Sequence, residues 1–307
     1  MSLHLFKSKD PEPEFPPARA KRDVVVVSAI SDGEWSGMAD LLDSLATYLG
    51  CSYAVVVADD ATTDGSHERL LDAGCWVVRN PRKLYLEGLH VTLARAFSEA
   101  HRLFDAKVIL KMDPDALLIG PGLPEVLQAA FAADASIGLL GTFRVDWNGE
   151  PRDASFWDER MIRQRADLGR PIAMAERNGY RIGEGVQGGA YAVAPRCLAE
   201  IVERGWWAGR DGYRPARGGG KHIAEDSLFT MLVYAAGFKA ADIGGPGQPF
   251  GIWHVGLPMP PEQLVAQGRL VAHAIKYRDE VSLAARDYFR ARRLDHVARH
   301  GGNRHGP

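Results

Sequence analysis

The chain has 307 residues, 46% of them hydrophobic, and a formal net charge of −2. That is enough apolar material for a sizeable core in one large domain, and the near-neutral charge provides neither a global basic field for nucleic acid nor an acidic tail. Cys51, Cys75 and Cys197 are odd in number and scattered, which argues against a disulfide framework or zinc knuckle and reads as small buried thiols in a reducing compartment.

Residues 1–22 are rich in proline and glutamate and read as a flexible lead-in. They lack the long apolar run of a secretory signal. With no apolar stretch of about 18 residues anywhere, no transmembrane helix is expected, and the expected location is cytoplasmic. The ordered part is expected from Asp23. "DVVVVSAI" (23–30) is apolar and β-branched without alternation, the pattern of a strand buried on both faces. "SGMADLLDSLATYLG" (36–50) predicts a helix, "YAVVVADD" (53–60) a second buried strand, "DGSHERLLDAG" (64–74) a short helix and "CWVVRN" (75–80) a third strand. Residues 88–104 predict a longer helix with Val91, Ala94, Phe97, Ala100 and Phe104 on one face, and "KVILKM" (107–112) a fourth strand. Alternating strands and helices predict an α/β fold with a mainly parallel sheet between helices.

The second half is looser. "EVLQAAFAAD" predicts a helix and "SIGLLGTF" a strand, and residues 144–187 are polar and irregular. "GGAYAVA" (188–194) predicts a strand, followed by a helix from Pro195. The glycine-rich "RDGYRPARGGGKH" (210–222) reads as a lid before the helix "AEDSLFTMLVYAAG", with "FKAADIG" and "FGIWHVG" as late strands. Residues 259–307 are expected to form a C-terminal helical extension of two helices, 261–278 and 279–300.

The chemistry lies in the carboxylates. In parallel sheets ligands bind outside the carboxyl ends of the strands. Asp59 and Asp60 follow strand two, and Asp113 and Asp115 follow strand four, so both pairs are expected on one rim. Two aspartates at i and i+2 can aim at one hard cation. The plain alternative is an Asx turn or helix cap.

Taken in order, "DDATTDGS", "KMDPD", "QGGAYAVAPRCLAEI", "AEDSLFTMLVYAAG" and "WHVG" resemble the GT-A glycosyltransferases, in particular the large inverting family 2. The resemblance covers 23–258 and implies a GT-A domain there. It implies that Asp60 accepts a hydrogen bond from the nucleobase, while Asp59 shapes the turn and, as a donor-binding residue, reaches the ribose. It implies that Asp115 binds Mn²⁺ or Mg²⁺ directly, that Asp113 meets the ribose or the metal's shell, and that His254 is the late histidine at the metal. An imidazole among oxygens favours Mn²⁺. Gly188 and Gly189 would leave room for the donor sugar, Asp226 would be the general base, and Glu225 its neighbour.

The family's base-stacking residue after strand one has no direct counterpart in "SAISDGEW", leaving Trp35 or Tyr85. Its "RxN" is approximated by "ARAF", making Arg95 the diphosphate contact. The processive "QxxRW" is absent, which favours single addition. The implied reaction is transfer from a nucleotide-sugar, with UDP favoured, to an acceptor hydroxyl of a glycan, lipid-linked sugar, small molecule or nucleic acid. Two alternatives stand beside it: a sugar-1-phosphate nucleotidyltransferase, which would want a basic glycine-rich loop after strand one, and a non-catalytic nucleotide or carbohydrate binder. Bland readings accompany several residues. Glu225 and Asp226 also suit a helix N-terminus. Trp206 and Trp207 can plug a gap or stack on a sugar, Lys221 is a phosphate contact or a solvated lysine, and Arg286, Arg290, Arg292 and Arg293 suit either a polyanionic acceptor or a solvated helix.

Overall fold

A computed structural model of the protein describes residues 18–85, 88–152, 168–206, 224–276 and 279–300. The lid segment 210–222, with Trp207 and Lys221, lies outside the described residues, as does most of the lead-in.

The main sheet begins with β1 (Ala20–Ile30), followed by α1 (Trp35–Tyr48), β2 (Tyr53–Asp59), α2 (Ser66–Asp72), β3 (Trp76–Arg79), α3 (Leu89–Leu103) and β4 (Phe104–Met112). Every residue of β2, and of β1 from Val24 onward, is buried. Successive strand residues point to opposite faces, so burial without alternation means that both faces are covered. β1 starts three residues before the expected Asp23, because Ala20 to Arg22 pair with Phe104 to Ala106. Phe104 opens β4 instead of closing the preceding helix.

The chain continues through β5 (Leu117–Leu118), α4 (Leu123–Ala133), β6 (Ile137–Gly141), α5 (Gly169–Arg177), β7 (Ala190–Val193), α6 (Pro195–Glu203), α7 (Glu225–Ala235) and β8 (Lys239–Asp242). The seven-stranded sheet has the order β3-β2-β1-β4-β7-β6-β8. Strands β3 to β4 are parallel, β7 is antiparallel to both its neighbours, and β8 is parallel to β6. This is the mainly parallel mixed sheet expected from the sequence. The register sets Ile30 beside Asp59 and Val27 beside Lys111, so the turns after β1, β2 and β4 share one rim.

The C-terminal part departs from expectation. β9 (Phe250–Ile252), α8 (Pro261–Ala266) and β10 (Val271–His273) precede the long α9 (Glu280–His300). The expected helix over 261–278 stops at Ala266, because Gly268 takes a left-handed φ of +71°. The apolar residues after it become β10, the centre of a small sheet of order β5-β10-β9. Pairing Ala272 with Leu117 brings the C-terminal segment against the turn that follows β4.

α9 is buried along one stripe, at Ala285, Arg286, Phe289 and Arg293, while Arg292 and most of its other residues are exposed to solvent. Arg286 donates to Asp40 of α1 at 2.8 Å and Arg293 at 3.0 Å, and both guanidinium groups are buried. Arg290 reaches the same carboxylate at 3.2 Å from a half-exposed position. The described cysteines are all free, and burial pushes the Cys51 thiol up to about 11. No described helix is long and apolar enough to cross a membrane.

Candidate active site

A cavity of about 480 Å³ opens at the rim, between the turns after β1, β2 and β4 and the C-terminal segment. Its wall includes Asp60, Tyr85, Asp113, Asp115, His273 and Lys276. One donor atom from each of Asp113, Asp115 and His273 lies within 4.8 Å of the others. His273 Nε2 stands 3.2 Å from Asp115 Oδ1. His254, the expected histidine, is not in this cluster: it is exposed just past β9, with its ring 4.7 Å from that of Trp253. His273 went unnoticed because its segment reads as helix. The usable signal was Gly268, which ends that helix before the apolar "LVAHAI".

Two carboxylates and one imidazole form a donor set that fits a divalent cation. The nitrogen donor suits Mn²⁺ better than Mg²⁺, which prefers oxygen. Burial pushes the Asp115 carboxyl up, but the hydrogen bond and charge of His273, with Lys276 and Lys111, outweigh burial and leave it below its ordinary value.

Behind the two aspartates sits a residue that sequence reasoning missed. Lys111 is fully buried in β4, and its ammonium donates to Asp113 Oδ1 and to the Gly188 carbonyl, both at 2.6 Å. Glu225 Oε1 is 3.3 Å away. A buried ammonium is tolerated only when paired. Here it is the common counter-charge of the Asp113–Asp115 turn and the start of α7. Its signal was a lone lysine in the apolar run "VILKM".

The acidic pair is at that helix start. Asp226 Oδ1 accepts from the Ser227 backbone N–H at 2.7 Å. Burial raises both carboxyls. Glu225 reaches about 7, with Lys111 pulling it down and the neighbouring Asp226 pushing it up. These are the properties of a group that can take a proton near neutrality.

Gly188 and Gly189 stand between the Asp113–Asp115–His273 cluster and this pair. A Cβ on Gly189 would come within 3.0 Å of three His273 ring atoms, closer than real Cβ atoms approach anything. A Cβ on Gly188 would sit 3.1 Å from Asp226 Oδ2. The room these glycines leave is occupied by protein side chains: Gly189 admits the imidazole and Gly188 adjoins the carboxylate.

The remaining expected residues divide. Asp60 lines the cavity, and its carboxylate accepts from the backbone N–H of Leu84 (2.8 Å) and of Tyr85 (2.9 Å) and from Asn80 Nδ2 (2.9 Å). It thereby holds Tyr85, whose φ is +56°, with its ring exposed at the cavity edge. Asp59 is buried behind it and is not in the cavity wall; it accepts from Thr62 N and faces His67 and Arg79, so it shapes the turn and does not reach a ribose in the cavity. Arg95 donates to Asn80 Oδ1 at 2.9 Å and is not in the cavity wall. Trp35 carries the Arg69 guanidinium over its ring at 5.6 Å, and Trp206 packs half-buried on the core with Arg204 over it.

No protein-family model matches the sequence, and no curated protein matches it. Several solved glycosyltransferase structures are similar. A mannosyltransferase, PcManGT of Pyrobaculum calidifontis, in complex with GDP-Man and Mn²⁺, is 19% identical over 97% of this chain and 70% of its own, with a TM-score of 0.43. S. aureus TarS 1-349 with UDP is 16% identical over 72% of this chain and 58% of its own, at 0.45. The galactosyltransferase LgtC, with donor and acceptor sugar analogues, is 11% identical over 88% and 95%, also at 0.45. These scores lie below 0.5, and the chemistry follows from the residues, not from this likeness.

Proposed function

We propose that the protein transfers a sugar from a nucleoside diphosphate sugar to an acceptor hydroxyl, in a metal-dependent reaction. The observation that carries this reading is one juxtaposition. Asp113, Asp115 and His273 gather on a cavity that also holds Asp60 and Tyr85, and Gly188 separates them from the raised carboxyl of Asp226.

The division of labour follows from charge. Asp113, Asp115 and His273 would hold Mn²⁺ or Mg²⁺, with Mn²⁺ favoured, and that cation supplies Lewis-acid stabilisation to a leaving diphosphate. Lys276, also in the cavity wall, brings positive charge to the same phosphates. Tyr85 offers an aromatic face for the base. Asp60 Oδ2, bonded to the Tyr85 N–H, has a lone pair left for an imide N–H, which favours uridine donors. Asp226 takes the proton of the attacking hydroxyl, and a single displacement with this base inverts the anomeric centre. Lys111 keeps Asp113 and Glu225 from repelling one another. A nucleotidyltransferase would need cations in the loop after β1, but Asp32 and Glu34 stand there and Asp32 is already paired with Lys83.

The test is calorimetry with UDP and Mn²⁺ on the parent and on Asp115→Ala. Binding in the parent should vanish with chelator and in the variant, while the variant melts as the parent does. Equal, chelator-insensitive binding in both would refute the metal assignment.

A further inference from the structure

A second cavity, of about 790 Å³, lies on the far side of Gly188 and carries Asp226 in its wall. In the proposed reaction this is where an acceptor would approach the base. Its wall is cationic: Arg144, Arg152 and Arg181 face Glu184 and Asp226. Glu184 already serves two of the arginines, accepting from Arg144 Nε at 3.0 Å and Arg181 Nη2 at 2.7 Å. Arg152 has no carboxylate within ion-pair distance among the described residues. Its Nη1 donates to the carbonyls of Thr142, Phe143 and Gly185 at 2.8, 2.7 and 2.6 Å, which leaves its other N–H groups to the cavity. Burial lowers its proton affinity, and the charges of Asp226, Asp242 and Asp146 only partly restore it. Buried cations are ordinarily paired. A planar guanidinium with a free edge is the usual partner of a carboxylate or phosphate.

We propose that the acceptor is an anionic polyol or glycan, which presents a carboxylate or phosphate to Arg152, with Arg144 and Arg181 at the mouth, while its hydroxyl meets Asp226. This rests on the sugar-transfer reading above, but its recognition chemistry is separately testable. The arginines of α9, the other candidates for a polyanionic acceptor, are not at this cavity: Arg286, Arg290 and Arg293 gather on Asp40.

The experiment is an NMR titration of the full chain with three probes: methyl β-glucuronide, glycerol 3-phosphate and the neutral methyl β-glucoside. At least one anion should bind, and which of the two binds distinguishes carboxylate from phosphate, while the glucoside should bind at least tenfold more weakly. Arg152→Met should weaken anion binding by about tenfold. Because Arg152 also ties three carbonyls, the doubly substituted Arg144→Gln, Arg181→Gln chain carries the test without disturbing them and should lose several-fold. Asp115→Ala should bind the anion as the parent does. The proposal is overturned if the glucoside binds as well as both anions, if the arginine substitutions leave anion binding unchanged, or if Asp115→Ala abolishes it, which would place the probe in the donor cavity. Failure of the sugar-transfer reading has a different signature, namely a parent that binds no nucleoside diphosphate with Mn²⁺.

Discussion

Substituting Gly189 by alanine adds one methyl group and should remove the metal site. The methyl carbon would come within 3.0 Å of three atoms of the His273 ring. Carbon atoms rest at about 3.5–4.0 Å, so the ring would have to retreat by roughly 1 Å. Ligand distances at a metal tolerate about 0.2 Å, and the retreat therefore costs the imidazole as a ligand. Disturbing even the groups that orient a metal ligand costs about 10–100-fold in affinity, and losing a ligand should cost at least that. Overpacking adds about 1–3 kcal/mol of lost stability, which a protein of this size should survive. The assay is Mn²⁺ titration followed by electron paramagnetic resonance, with thermal melts beside it. His273→Ala should reproduce the metal defect, and adding Gly189→Ala to it should cost no further affinity, because the clash partner is gone. A folded Gly189→Ala chain that binds Mn²⁺ as tightly as the parent would refute both the packing argument and the role of His273.

Three other outcomes are expected. Asp226→Asn should keep UDP–Mn²⁺ affinity and lose about a hundred- to ten-thousand-fold in transfer rate; in the parent, whose Asp226 carboxyl is raised by burial, the rate should fall as pH drops through a value above the ordinary aspartate range, measured as initial rate against pH. Asp40→Ala removes the carboxylate that Arg286 and Arg293 share in a buried site, which should cost about 3–5 kcal/mol in chemical denaturation, whereas a loss below about 1 kcal/mol would show the cluster to be solvated. In competition, UDP should displace a bound nucleotide-sugar better than CDP does, since cytosine lacks the imide N–H for Asp60, and a preference for CDP would remove that contact.

The sheet and its rim were legible because they follow from local chemistry. Unbroken β-branched runs mark strands buried on both faces, and two carboxylate pairs at the ends of parallel strands must share an edge. What escaped was set by contacts distant in sequence. Residues 271–273 are strand because β9 and β5 flank them, so His273 was hidden in an apparent helix while His254 stands in a more suggestive tetrapeptide. Arg95 has the right charge and neighbourhood but is held by Asn80, a residue fifteen positions away, just past β3. The role of Lys111 depends on Gly188, seventy-seven residues on, and no pattern within β4 announces it.

The C-terminal segment is thereby more than an appendage to a finished site. β10 contributes His273, the residues after it Lys276, and α9 Arg286 to a cavity whose opposite wall is the loop between β1 and α1. β10 alone would not hold these groups there, since three residues pair weakly. A buried apolar cluster that includes Leu117, Ala272, Ile275, Ala285 and Phe289 packs β5, β10 and α9 together, and the buried ion cluster adds to it. Asp40 on α1 grips Arg286 and Arg293 on α9, and Arg286 also donates to the Ile275 carbonyl, between the histidine and the lysine. Because α1 packs against β5, the strand that follows the Asp113–Asp115 turn, the same helix supports that turn and, through Asp40, the arginines of α9. One buried carboxylate thus ties α1 to α9 across this cavity. It does so through charge-assisted bonds that lose strength steeply with misalignment, the rigidity that the proposed diphosphate site would require.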